Sequence, residues 1–110
     1  MENVTFEDFK KMDIRVAEIK TAEEIAGADK LYKLTVNVGD EERTLVAGIK
    51  QYYQIEQIIG KKVLVLANLE PRVIRGIESR GMILCASDPD RTQVVCTTVE
   101  KEIAPGAKVS

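Results

Sequence analysis

The segment Ala67–Met82, ANLEPRVIRGIESRGM, sets Arg72, Arg75 and Arg80 among two glycines and a proline, between two runs of β-forming residues. Guanidinium groups can grip phosphate with paired hydrogen bonds or lie flat on a base. Asn68, polar at the end of an apolar run, carries a donor and an acceptor suited to a base edge. Gly76 and Gly81 permit unusual backbone angles, and Met82 offers an adaptable apolar surface. Phosphate donors, flat groups and small residues therefore gather in one place, although without an aromatic ring. Such a set suits single-stranded or irregular nucleic acid. A second reading stays open, in which a surface hairpin pairs its arginines with Glu70 and Glu78.

Catalytic chemistry has little to build on. The chain contains no histidine, so the usual base near neutral pH is missing. Two cysteines without histidine do not make a zinc site, and neither glycine-rich phosphate loop occurs. Glu23-Glu24 and Glu41-Glu42 fall in expected loops and read as solvated. No catalytic residue, metal ligand or cofactor is expected.

Charge points to a local effect. Sixteen basic residues against eighteen acidic ones leave −2 in 110 residues. That balance excludes the global cationic field of a non-specific nucleic-acid binder. Between 61 and 81, however, Lys61, Lys62, Arg72, Arg75 and Arg80 meet only Glu70 and Glu78. Chance clustering on a solvated surface is the plain alternative. The start, MENVTFEDFKKM, has no apolar leader, and no apolar run is long enough for a membrane span. A cytoplasmic protein is expected, where disulfides are rare. Cys85 and Cys96 then read as small buried hydrophobes, with a strained or regulatory disulfide as the alternative.

These residues need a scaffold. The length fits one domain with one core. Thr5 can cap a short helix over about 5–12, with Glu7 and Asp8 in its first turn and Phe6 and Phe9 on one face. Strands are expected over 14–19, with a bulge near Ala17, and over 31–38, where Tyr32, Leu34, Val36 and Val38 alternate with polar residues. Residues 21–30 read as an acidic loop and 39–42 as a hairpin loop. A strand over 43–49 is followed by a helix over 51–60 that stops at Gly60. Further strands are expected over 61–69, 81–87 and 92–99, with 70–79 as a loop and Asp88-Pro89-Asp90 as a turn. One helix between the third and fourth strands of a five-strand set fits an all-β Greek-key barrel of the OB type, with a C-terminal extension. A generic mixed α+β sheet gives similar signals.

Asp13-Ile-Arg-Val16, Ala28-Asp-Lys-Leu-Tyr32, Val46-Ala-Gly-Ile49, Gly60-Lys-Lys-Val63, Ala67-Asn-Leu-Glu-Pro71, Arg75-Gly-Ile-Glu-Ser79 and Gly81-Met82 follow one ordered pattern. Over about residues 6–110 it resembles the tRNA-binding OB domain appended to methionyl-tRNA synthetases, and most of all the free-standing β subunit of that enzyme. The resemblance implies a non-catalytic, dimeric protein that binds folded tRNA mainly by shape, with a methionyl-tRNA synthetase catalytic chain as a possible partner. It implies that the N-terminal helix and the segment 88–110 build the dimer interface. It places Asn68, Arg75, Ser79 and Met82 on the RNA-facing motif, with Lys30 and Arg72 as phosphate contacts. Asp13 and Arg15 read more as a structural pair. The family's His-Pro pair ahead of Ala28 is replaced here by Ile25-Ala26. The rival function is an export-related, peptide-binding dimeric chaperone of the same fold.

Overall fold

Strict alternation at 32–38 buries Tyr32, Leu34, Val36 and Val38 completely or nearly so, and they form the centre of the core. The computed structural model describes residues 1–110 and runs α1 (Phe6–Lys10), β1 (Ile14–Ile25), β2 (Ala28–Asn37), β3 (Glu42–Ala47), α2 (Ile55–Ile58), β4 (Lys62–Leu66), β5 (Arg72–Ile74), β6 (Ile77–Ser79), β7 (Met82–Ile83), β8 (Cys85–Ser87), β9 (Val94–Cys96) and β10 (Lys108–Val109). The protein is mostly β, antiparallel throughout, with two helices of about one turn.

The main sheet has the order β3-β2-β1-β4-β7, and β10 adds to β1. The expected all-β, antiparallel architecture is present, in ten strand segments rather than five. The two ends of the main sheet approach each other at Ser79–Gly81. Arg80 N–H donates to the Thr44 carbonyl at 3.0 Å, and Val46 N–H donates to the Ser79 hydroxyl at 3.0 Å. These bonds join β3 to the segment leading into β7, which closes the barrel.

Several elements differ from expectation. Residues 21–30 are not a loop, because β1 runs to Ile25 and β2 starts at Ala28. Ion pairs accompany the extension: Glu23 lies opposite Lys33 with 3.8 Å between their charged atoms, and Glu24 reaches Lys50 at 2.7 Å. The bulge of β1 lies between Ile19 and Thr21, where the strand stops pairing with β4 and continues with β2. Residues 70–79 form a hairpin, β5–β6, turning on Arg75 and Gly76. Both have positive φ, 53° and 79°, as a two-residue turn matched to the strand twist requires. The strand expected over 81–87 breaks at Leu84, whose N–H bonds β4 while its carbonyl bonds Thr97. Both helices are shorter than expected.

The C-terminal segment packs on the barrel. Val16 exchanges backbone bonds with Ala107 (2.9 Å) and Gly106 (2.7 Å). The turn at Gly106 rests on the turn at Gly39 with no room for a side chain on either glycine.

Candidate nucleic-acid interface

The tip of the β1–β2 hairpin and the tip of the β5–β6 hairpin lie side by side. A methyl placed on Gly27 would sit 3.8 Å from the Arg75 Nη1 atom. Between them is a cleft of about 320 Å³ lined by Gly27–Leu31 and Arg75. Lys30 and Arg75, 45 positions apart in the chain, thus face one space. Arg72 is exposed one hydrogen-bonded pair from the tip, opposite Ser79. Next to it in the chain, Val73 is 72% exposed.

A second cleft of about 340 Å³ is lined by Val46, Gly48, Met82 and Arg91 among others. Met82 is 42% exposed there. Arg91, which sequence reasoning did not single out, sits in the β8–β9 turn at φ 56°, with its carbonyl held by the Tyr52 hydroxyl at 2.8 Å. The signal available for it was the turn sequence Asp88-Pro-Asp-Arg91, which projects one cation from a tight loop.

Folding redistributes the positive charge of the sequence. Lys62 is taken by Glu102 at 2.6 Å, and Arg80 lies 3.7 Å from Glu41. Lys61 stands over the Tyr53 ring at 6.0 Å on another face. Arg72, Arg75, Arg91 and Lys30 enter none of the ion pairs. Pairing of Arg72 or Arg75 with Glu70 and Glu78 is therefore not what the hairpin is for. Unpaired guanidinium and ammonium groups around a shared cleft can bind phosphate without first breaking a salt bridge.

Two other sequence-predicted residues are engaged inside the protein. Asn68 accepts from Asp13 N–H at 2.9 Å and donates to the Lys11 carbonyl at 2.6 Å, which ties the entry of β1 to the exit of β4. Ser79 is 6% exposed and bridges Val46 N–H and the Gly81 carbonyl. Asn68 thus lies just before the hairpin and Ser79 opposite Arg72 at its other end. Asp13 and Arg15 form a forked pair at 2.9–3.1 Å, and Arg15 also reaches Asp40 and the Val38 carbonyl. Arg15 holds the Asp13 carboxyl below its ordinary value, chiefly by hydrogen bonding. This pair fastens the first strand to the β2–β3 turn.

Residues 14–108 match the family described as "Putative tRNA binding domain". The chain belongs to this family. It is 47% identical over 107 residues to a methionine–tRNA ligase of Caldanaerobacter subterraneus and 48% identical over 109 residues to one of Pyrococcus horikoshii. Those alignments take in 97% and 99% of this chain but only 16% and 15% of the ligases, so the chain spans about one-sixth of their length. Among solved structures, a MetRS-related protein of Pyrococcus horikoshii superposes with a TM-score of 0.94 at 38% identity, with all of both chains covered. The chaperone CsaA of Bacillus anthracis superposes at 0.89 and 26% identity, over 99% of this chain and 100% of that one. The sequence resemblance to tRNA-binding domains of methionyl-tRNA synthetases is thus correct, and the barrel is the fold these proteins share. No helix is long and apolar enough to cross a membrane.

Proposed function

We propose that this is a non-catalytic tRNA-binding protein that docks folded tRNA mainly by shape, as a dimeric β subunit or trans-acting cofactor of a methionyl-tRNA synthetase in the cytoplasm. The observation that carries the reading is the cleft shared by Lys30 and Arg75, formed by two hairpin tips; Asp29 also lines it, but neither cation is held in an ion pair. Rigid tips at a fixed separation suit a folded RNA, whose phosphates are already at fixed positions. In this reading Arg72, Arg75 and Lys30 contact phosphate, Met82 and Val73 pack on sugars or bases, and Asn68 and Ser79 act as positioning residues. The domain is the whole of 1–110. The exposed apolar side of α1, with Phe6 70% exposed, and the segment 88–110 form the dimer interface. A partner surface supplies what a one-turn helix cannot supply alone.

Fluorescence anisotropy with folded tRNA tests this, with unstructured RNA of equal length as competitor, across a range of salt. Preference for the folded RNA, weakening as salt rises, supports the reading. Equal binding to both RNAs, or none, removes it. The likeness to CsaA favours a second reading, a peptide-holding chaperone of the same fold. Here the apolar rim of Val46, Val73 and Met82 would bind extended peptides, and salt would have little effect.

A further inference from the structure

Cys85 and Cys96 are direct partners across the β8–β9 ladder, and both are free thiols. On either side of them Thr97 N–H donates to the Leu84 carbonyl at 3.1 Å and Asp88 N–H to the Gln93 carbonyl at 3.3 Å. Antiparallel ladders alternate hydrogen-bonded and non-hydrogen-bonded pairs. The cysteines therefore occupy a non-hydrogen-bonded position, where Cα atoms lie about 4.5 Å apart and both side chains share a face. That separation is at the short end of the range a disulfide spans. Both thiols pack against the core and stay half-buried.

Their surroundings differ. A cleft of about 410 Å³ reaches Cys96 and is lined also by Tyr53, Lys61 and Val95. Cys85 lines the other cleft, the one that holds Met82 and Arg91. The Cys96 thiol is pulled down to about 7 by a hydrogen bond from the Cys85 thiol, against the opposing effect of burial, with help from the Tyr53 hydroxyl and the Lys61 ammonium. Cys85 is pushed up by the same sulfur contact and by burial. Within the single chain one sulfur is thus activated and lines a cleft that admits a small reagent, and the other is its direct partner across the ladder.

We propose that Cys85 and Cys96 form a reversible dithiol–disulfide pair whose oxidant is a small-molecule disulfide. The Cys96 thiolate attacks one sulfur of the reagent, forming a mixed disulfide and releasing the first reagent thiolate. Cys85 then loses its proton and attacks the Cys96 sulfur, releasing the second. Two protein thiols become one disulfide and one reagent disulfide becomes two thiols, so electrons and protons balance. The bond staples the base of the hairpin whose turn carries Arg91.

The test uses graded mixtures of oxidised and reduced glutathione, blocking of remaining thiols, and intact-mass measurement. The wild type is expected to reach a state with both thiols lost and no glutathione retained, within one chain and reversed by dithiothreitol. Cys85→Ala should stop at a glutathione adduct on Cys96. Cys96→Ala should leave Cys85 reacting about tenfold more slowly near pH 7. Persistence of both thiols, a lasting adduct in the wild type, or cross-linking between chains overturns the proposal. Iodoacetamide labelling of the unmutated protein gives an independent reading. Cys96 should label first, and labelling of Cys85 first also overturns it.

Discussion

Gly39 and Gly106 meet backbone to backbone. A methyl on Gly39 would lie 2.6 Å from the Gly106 Cα, and one on Gly106 would lie 2.8 Å from the Gly39 Cα. Both also have positive φ, 106° and 94°. Real side chains do not approach so closely, so either turn must move if a Cβ is added. Gly39→Ala or Gly106→Ala should each cost about 2–4 kcal/mol. The double variant should cost less than the sum, because the first substitution already separates the turns. Urea unfolding of the three variants checks this, and full additivity would contradict it.

Arg75 holds a left-handed conformation that arginine adopts reluctantly. Asn followed by Gly is the favoured pair for this turn. Arg75→Asn should therefore raise stability by a few tenths of a kcal/mol to about 1 kcal/mol while weakening tRNA binding. Arg75→Ala should weaken binding by about 1–3 kcal/mol. Thermal unfolding and anisotropy measured on the same samples separate the effects, and unchanged affinity in both variants would take Arg75 out of the interface.

Ser79→Ala leaves the part-buried Val46 N–H without its acceptor. A loss of about 1–3 kcal/mol of stability is expected. If Ser79 only positions the hairpin, Ser79→Ala at a temperature where it is folded should bind tRNA with a smaller loss than Arg75→Ala. An equal or larger loss would make Ser79 a direct contact.

Arg15 lowers the pKa of Asp13 in the folded state, chiefly by hydrogen bonding to its carboxylate. The carboxylate is then favoured by folding. Its contribution is present above the unfolded value near pH 4 and is lost as pH falls through the lower folded value. The wild type should be more stable than Asp13→Asn at neutral pH, and the gap should narrow on acidification. A gap that stays constant from about pH 7 to about pH 2 would contradict this.

Deleting residues 1–12 should move the protein from dimer toward monomer, because α1 buries none of its residues within its own chain. Light scattering reads the change. An unchanged mass would place the interface elsewhere.

Much of the barrel was legible. The alternation at Tyr32–Val38 gave β2, Thr5 gave the start of α1, and Gly60 gave the end of α2, because each signal is local. The acidic arm before Ala28 was not legible as strand. Glu23 lies opposite Lys33 and Glu24 reaches Lys50, long-range pairings that no window of sequence shows. The 70–79 hairpin was hidden because its turn uses Arg where Asn would have announced it. The site was half visible. Arg72 and Arg75 stood out, but so did Lys62 and Arg80, which Glu102 and Glu41 remove from the free charge. Lys30 joins Arg75 only through the approach of two hairpin tips.

The pairing of Val16 with Gly106 and Ala107 has a consequence for synthesis on the ribosome. Translation proceeds at about 5–20 residues per second, and β1 is made before β2, β4 and Ala107. Its partners β2 and β4 are available long before Ala107. For several seconds the nascent barrel carries an open edge at Val16, with a donor and an acceptor waiting for a segment not yet translated. A chain cut short of Gly106 would leave that edge at Val16 unsealed, a natural substrate for chaperones and proteases.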